Sequence, residues 1–476
     1  MATSMMKFVS IDRSMPVKRD PIVRLGDFGE IYDDFKSPAL VRQSSRCEQC
    51  GIPYCQVHCP LSNNIPDWLA LAAEGRMEEA YRVSQSTNDF PEICGRICPK
   101  DRLCEGFCVL EQSRHGTVTI GAVEIAITEN AWREGWVEPP WPRRELQETV
   151  GIIGAGPAGL TAAAHLRRRG YRVHVYDRYD RAGGLLIYGI PNFKLEKHIV
   201  ERRTRLLAEG GVAFEQNFEV GRDATLDDLR ARHDAILIAT GTYKERDTDV
   251  PGAGLDNIFH AMTYLTASNR KSLGDAVAAF DDGTLDAKGK NVAVVGGGDT
   301  AMDCVRTAVR QGAKSVKCLY RRDRANMPGS MTEVAHADEE GVEFIWLAQP
   351  EAFLGDGAVG GLRATRIHLG VPDAGGRQTP QPIEGSGFTI DVDMVLKALG
   401  FEPEDLPGLF GAPELALSEW GTIAVHPTTM MTNLDGVFAA GDIVRGASLV
   451  VWAIRDARLA AEGIHIHLQA NLPAAA

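Results

Sequence analysis

The sequence contains no apolar run approaching the roughly 18 residues that a membrane-spanning helix requires. It has no basic excess either: 51 Lys and Arg against 64 Asp and Glu leave a formal charge of −13, which argues against nucleic acid or an anionic membrane as the main partner. Aromatic residues are sparse, at 7%. The opening stretch "MATSMMKFVSIDRSMPVKRD" lacks the apolar segment of a secretory leader, so a reducing cytoplasm is the expected setting. Cysteine is almost missing from most of the chain: outside residues 47–108 only Cys304 and Cys318 occur. What remains is 476 residues, 44% hydrophobic and rich in glycine, with 49 of them. That is the composition of an α/β nucleotide-binding protein with roughly two to four structural units.

The other eight cysteines form two runs. The first is C-x2-C-x4-C-x3-C-P, from Cys47, Cys50, Cys55 and Cys59; the second is C-x3-C-P-x4-C-x3-C, from Cys94, Cys98, Cys104 and Cys108. In a reducing compartment dense thiols signal metal or redox chemistry. Three cysteines on a short loop wrap one face of an iron–sulfur cubane and a distant cysteine closes it; in two-cluster ferredoxins the cysteine before proline crosses to the other cluster. Two four-cysteine zinc sites are the plainer alternative. On the ferredoxin logic Cys47, Cys50 and Cys55 hold one cluster with Cys108, while Cys59 crosses to Cys98 and Cys104, with Cys94 the simple fourth ligand. Between the runs, residues 65–91 have helical spacing with Pro66 in the first turn, and "VTIGAVEIAITENAWREGW" reads as another helix. A Pro-rich linker follows, placing a boundary near residue 145.

Two dinucleotide folds come next. Gly154-Ala155-Gly156-Pro157-Ala158-Gly159 is G-x-G-x-x-G directly after an apolar strand, and Asp177 ends the following strand. Gly154 makes the turn, Gly156 admits a pyrophosphate, Gly159 permits close packing, and the acid can accept from a ribose hydroxyl. A glycine turn serving helix packing alone is the competing reading. The second copy, Gly296-Gly-Gly298-Asp299-Thr300-Ala301, is followed by Arg321 and Arg322 where an NAD site would show a carboxylate. Two guanidinium groups suit the 2′-phosphate of NADP, although a solvated surface pair would look the same. Cys304 shares an apolar stripe and reads as a core thiol. "LIATG", containing Thr240 and Gly241, and "VLKALGF" each read as a strand ending in a turn, marking where the chain leaves the first fold and returns to it. Gly441 and Asp442 precede a helix starting near Ser448, placed for flavin contacts.

With those residues in hand, the chain resembles the small subunits of bacterial NADPH-dependent glutamate synthases over nearly its whole length. "IGAGPAGL", "GGLLIYGIPNFKL", "GGGDTAMDCVRTA", "RRDRANMPGS" and "GDIVRGASLVVWAI" carry the match together with the cysteine runs. It is also similar to the N-terminal part of dihydropyrimidine dehydrogenase and, without the cluster region, to adrenodoxin reductase. The resemblance implies FAD at the first nucleotide site, with Arg178, Gly184, Leu185 and Leu449 counted among its contacts, NADPH at the second, and two [4Fe–4S] clusters. By resemblance to adrenodoxin reductase Glu333 belongs near the nicotinamide end, with a surface glutamate as the alternative. Dihydropyrimidine dehydrogenase fills the fourth place on one cluster with a glutamine, and aligning "TIGAVEIA" with that segment puts Glu124 there in competition with Cys94.

The expected architecture is α/β: a helical iron–sulfur domain over 1–145, an FAD domain over 146–242 and 400–476, and an inserted NADPH domain over 243–399. The family's amidotransferase and FMN domain sit on a separate large subunit, and nothing in this chain answers to them. The chain therefore reads as an electron-input half. Hydride transfer needs no acid or base, so no catalytic side chain is named. The rivals are another flavoprotein electron-input subunit, serving a pyrimidine-reducing, sulfide-oxidising or ferredoxin-linked partner, and a zinc-stapled scaffold without activity. A disulfide reductase would need a C-x-x-C pair in the nucleotide folds, and the sequence has none there.

Overall fold

The computed structural model describes residues 6–470 apart from 374 and 377. Apolar runs too short for helices and hydrophobic at every position form strands buried on both faces, which is the signature of parallel sheets. Ala235–Ile238 is of this kind, and Met394–Lys397 is likewise buried throughout, its Lys397 ammonium paired with Asp247 at 2.5 Å. Two five-stranded parallel sheets result. The first sets Val437–Ala439, Ala235–Ile238, Thr149–Ile153, Arg172–Asp177 and Ala213–Gln216 side by side. The second sets Ile258–His260, Met394–Lys397, Asn291–Val295, Ser315–Tyr320 and Glu343–Trp346 in the equivalent order. In each, a glycine turn leaves the central strand at the switch point, where open α/β sheets bind their ligands.

The strand within "VLKALGF" pairs with Asn291–Val295 and so closes the second sheet before the chain returns to the first. The outgoing Lys244–Glu245 and the returning Phe401–Glu402 pair antiparallel, tying the two crossings together. An antiparallel unit lies between the last two strands of the second sheet. Its long strand Ala358–Pro372 pairs with Ala348–Asp356, Gln378–Pro382 and Phe388–Asp391.

Among the described residues 6–148 the regular elements are all helices, apart from one isolated bridge, Lys18 to Tyr32. The periodic stretch after Pro66 is two helices, Ile65–Ala73 and Met77–Thr87. Gly75, at φ 78°, turns the chain between them, a conformation that costs glycine little and other residues more. Trp68, Leu69, Ala72, Ala80 and Tyr81 from both helices meet Val123, Ile127 and Ala131 of the helix Ile120–Arg133 in one core. Trp68 is fully buried, and truncating such a side chain costs about 3–5 kcal/mol. The helix Pro91–Ile97 crosses Ile120–Arg133 so closely that a Cβ on Gly95 would lie 2.8 Å from the Gly121 carbonyl oxygen.

Helix Pro91–Ile97 also faces the other way. Phe90, Ile93 and Cys94 are part of the hydrophobic core of the first sheet, with Ile97 and Cys98 packed against it. Charge pairs seal this junction: Arg203 donates to Glu92 at 2.6 and 2.9 Å, Arg202 to Glu129 at 2.6 and 2.8 Å. Asp89 lies between His165, Arg168 and Arg458. Burial works against its charge, but His165, Arg458 and Arg168 outweigh it and hold the carboxyl at about 2.

Candidate functional site

The glycines of the first turn serve different ends. Gly154 sits at φ 107°, and a Cβ there would lie 2.4 Å from the Ala239 carbonyl oxygen; on Gly159 it would lie 1.9 Å from the Gly154 carbonyl oxygen. On Gly156 it would meet nothing within 4 Å. Two glycines therefore serve packing, while the third opens the backbone at the start of helix Pro157–Arg168 to a ligand, as a pyrophosphate site requires. Asp177, the acid expected to meet a ribose, is buried and accepts from the backbone N–H of Ala155 at 2.6 Å and of Tyr179 at 2.8 Å. It holds the glycine turn in shape, with lone pairs to spare for a hydroxyl.

A cleft runs from this turn along the edge of the first sheet. One end is lined by Asp177, Arg178, Tyr243 and Glu404. Arg178 forks onto Glu404 at 2.9 and 3.1 Å and stacks over the Tyr243 ring at 4.8 Å. The middle is walled by Gly184 and Leu185 on one side and by Thr240, Gly241, Gly441, Asp442, Ser448 and Leu449 on the other. The Thr240 hydroxyl is buried without a partner among the described residues, an arrangement that favours a polar ligand. Burial raises the Asp442 carboxyl to about 7. These groups fit FAD: an open glycine turn, polar atoms awaiting partners, and apolar walls for a flat ring.

The far end of the cleft is where three parts of the chain meet. It is lined by Cys98 and Pro99 of the cysteine domain, by Lys194, and by Asp299, Thr300 and Asp303 of the second fold. Sequence reasoning missed Lys194 and Asp303. Lys194 lies in the quoted "NFKL" and Asp303 one helical turn beyond Asp299, but nothing local joins them. Lys194 Nζ donates to Asp303 Oδ1 at 2.8 Å, and both are nearly buried. Burial pushes the Asp303 carboxyl up to about 6, against the pull of Lys194. Lys197, the first residue of the helix Lys197–Glu209, was missed as well. It is buried and donates to the carbonyl oxygens of Leu186, at 3.1 Å, and Ile190, bracing the segment that walls the cleft.

In the second fold Gly296 sits at φ 150°, where a Cβ would lie 2.2 Å from the Ala398 carbonyl oxygen, and Gly298 again faces open space. Asp299 accepts from the Ser330 N–H at 2.9 Å, tying the helix start to the next loop. Arg321 is exposed and Arg322 half-buried. Among the described residues neither pairs with a carboxylate, and Arg322 Nε is buried without a partner. That is a cationic site suited to a phosphate. Glu333 is no surface residue: it lies 2.5 Å from Arg306 and 3.7 Å from Lys194 Nζ. Burial opposes its charge, but Arg306, Lys194 and His336 hold it well below the usual carboxylate range. Cys304 is fully buried, as a core thiol should be.

The cysteines fall into two neighbourhoods. Burial raises Cys47 to about 11 and Cys55 to about 12, with Cys50 and Cys108 adding to both. Burial likewise raises Cys59 to about 11, with Glu124 and Cys98 adding. Burial, then Glu105, Cys59, Glu124 and Cys98, keep Cys104 high. Cys94 is held high by a hydrogen bond with Cys98, then by burial and by Glu124 and Cys59. The carboxyl of Glu124 is pushed up to about 7 by burial, against hydrogen bonds from Asn88 and Asn63 at 3.1 and 2.8 Å. Both of those bonds reach Oε1. Soft thiols clustered in two groups suit iron–sulfur centres. Among the described residues no three His, Cys, Asp or Glu side chains form a site for a single metal ion, and all described cysteines are free. No described helix is long and apolar enough to cross a membrane.

Residues 24–136 match the family model described as dihydropyrimidine dehydrogenase domain II, 4Fe-4S cluster, and residues 148–457 match pyridine nucleotide-disulphide oxidoreductase. A glutamate synthase [NADPH] small chain from Azospirillum brasilense is 66% identical over 99% of this chain and 98% of its own. The protein of the same name from Escherichia coli strain K12 is 43% identical over 98% of this chain and 99% of its own. Among solved structures, FprA of Mycobacterium tuberculosis in complex with NADPH superposes with a TM-score of 0.57 at 19% identity, covering 68% of this chain and 85% of that one; at that identity the likeness speaks for the fold. An NADPH-dependent oxidoreductase by its folds and its relatives, the chain belongs to the glutamate synthase [NADPH] small chains.

Proposed function

We propose that this chain is the electron-input half of a glutamate synthase. NADPH binds the second fold with its 2′-phosphate on Arg321 and Arg322, and FAD lies in the cleft of the first fold. Two [4Fe–4S] clusters in the helical domain take electrons onward to a large subunit carrying FMN and an amidotransferase, in the cytoplasm, where such thiols stay reduced. The observation that carries this reading is the far end of the cleft. There Cys98 of the cysteine domain and Asp299 and Thr300 of the second fold border one space, so these residues would flank a flavin ring held at that end, which would supply the exchange between hydride and single electrons. Flavin supplies the conversion between two-electron and one-electron chemistry. The chain's own residues bind, orient and exclude water. The antiparallel pairing of Lys244–Glu245 with Phe401–Glu402 supports a division into 1–145, 146–242 with 400–476, and 243–399.

The purified chain is expected to carry FAD, to hold about eight iron atoms, and to oxidise NADPH with an artificial acceptor. From glutamine and 2-oxoglutarate it is expected to make no glutamate until a large subunit is added; glutamate from this chain alone would refute the assignment.

The cluster ligands follow from the two neighbourhoods. Cys47, Cys50, Cys55 and Cys108 hold one cluster; Cys59, Cys98 and Cys104 hold the other, with Glu124 as the fourth ligand because its Oε2 accepts no hydrogen bond among the described residues. A carboxylate is a harder ligand than a thiolate and would alter the charge of that cluster. Glu124→Ala is expected to lose about half the iron, and Cys94→Ser to retain it. Loss of iron only in the Cys94 variant would reverse the choice.

A further inference from the structure

The walls of the cleft raise a question of proton balance. NADPH delivers a hydride, two electrons and one proton, and iron–sulfur clusters accept electrons alone. For every NADPH consumed, the N–H bond formed on the flavin must break again, with its electrons leaving singly and its proton leaving separately. A buried ring between three packed domains needs a route for that proton.

Behind the far end of the cleft lies a polar cavity of about 760 Å³, bordered by the helical domain, by residues 13–37 and by the helix Met331–Glu339. Lys194 lines both spaces, the cleft and this cavity. Its partner Asp303 lines the cleft, 2.8 Å away. Both side chains are about nine-tenths buried, at 10% and 9% exposure. The charged groups facing the pair are Glu333 at 3.7 Å from Nζ, Asp299 on the same side, and Lys197 from the first fold. Arg306 lies beyond and neutralises Glu333.

We propose that the Lys194–Asp303 pair is the proton exit of this cleft: the Asp303 carboxylate would take the proton released as an N–H bond on a bound flavin breaks, and the Lys194 ammonium, charged throughout, positions that carboxylate at the boundary with the cavity, from which water reaching the pair carries the proton away from Asp303. Three features separate the two members. The carboxylate is the only one with free lone pairs to accept a proton. Its pKa, raised to about 6, suits reversible protonation near neutrality. Burial disfavours the Lys194 ammonium, but Asp303, Glu333 and Asp299 outweigh that and keep it charged. Glu333, held ionised by Arg306 and Lys194, is a poor proton store. The proposal rests on FAD occupying this cleft.

The test uses the full chain with its flavin and clusters. For Asp303→Asn, flavin content is read from the absorbance spectrum, and flavin reduction by NADPH in stopped flow is the reference for the step that follows, since hydride arrival needs no proton acceptor. Flavin reoxidation through the clusters is expected to slow at least tenfold and to lose its pH dependence near 6, and added formate should restore it. Lys194→Met is expected to slow the same step, with Lys194→Arg retaining most of it. If Asp303→Asn keeps its flavin and reoxidises at the wild-type rate with the wild-type pH profile, the proposal falls. If its reoxidation is slow but formate does nothing while Asp303→Glu is equally slow, Asp303 is structural and the proposal also falls. A wild-type chain that binds no flavin would instead overturn the reading of the cleft.

Discussion

Arg321 and Arg322 directly follow the strand Ser315–Tyr320 of the second sheet; among the described residues neither pairs with a carboxylate, and Arg322 Nε is buried with no partner. A guanidinium left unsatisfied at a sheet's ligand-binding edge is costly unless a ligand completes it. Charge-assisted contacts of this kind contribute about 1.5–3 kcal/mol each. Replacing both with Ala is expected to lower kcat/KM for NADPH about 100-fold or more and to change that for NADH little. Steady-state kinetics with the two nucleotides would decide it, an unchanged preference counting against these residues. Asp177 answers to two demands. Its place at the end of a strand points to ribose, and its carboxylate also accepts one bond from the glycine turn, at Ala155, and one from Tyr179 just beyond its own strand.

At the scale of elements, the strand–turn–helix units were legible because their requirements are local: a positive φ, a close backbone approach, an apolar run of strand length. One element carries a pH response. His233, at the end of helix Leu226–Arg232, packs on Gly151 and shares a 2.8 Å hydrogen bond between its Nε2 and Tyr176 Oη. Burial lowers its pKa to about 4, with His174 and Arg232 adding to the effect. The ordinary histidine value is about 6.5, so between pH 6.5 and 4 the unfolded chain binds the extra proton and the folded one does not. Stability from this site is therefore complete above about pH 6.5 and is lost as pH falls toward 4. Because His233 is partly exposed, the expected loss is only about 1–2 kcal/mol. Thermal unfolding of wild type and His233→Gln between pH 7 and 4 should converge as the pH drops; parallel curves would remove His233 as the cause.

At the scale of the molecule, residues 18–32 strap the helical domain to the second fold. Lys18 and Arg24 reach Glu339 at 2.6 and 2.8 Å, and Tyr32 Oη meets His336 Nε2 at 3.1 Å. Arg24 is fully buried and also lies 3.7 Å from Glu340, which Arg306 and Arg310 already hold. Since Glu340 keeps two partners and Glu339 is partly exposed, Arg24→Ala is expected to cost about 2 kcal/mol, less than breaking an isolated buried pair. Lys18→Ala, on the surface, should cost well under 1 kcal/mol. A lower Tm with faster proteolysis between residues 13 and 37 in the Arg24 variant is the outcome expected; an unchanged digest would show that the strap is not held by this arginine.

The sequence by itself determined the two glycine turns, the arginine pair and the two cysteine runs, since each is a constraint among residues within one or two elements. The break at Gly75 and the antiparallel unit built on Ala358–Pro372 were not read from it: helical spacing continues across a single glycine, and pairing among four neighbouring strands is set by register, which local composition specifies weakly. Only the tertiary structure decided that helix Pro91–Ile97 enters the core of the first sheet and carries Cys98 to the cleft of the first fold. Only it decided that Lys194 meets Asp303, 109 positions away, and that Glu333 is half-buried in an ion network with Arg306 and Lys194. Those contacts join elements through packing and desolvated charge, and no local pattern of residue types records which distant partner a buried side chain will find.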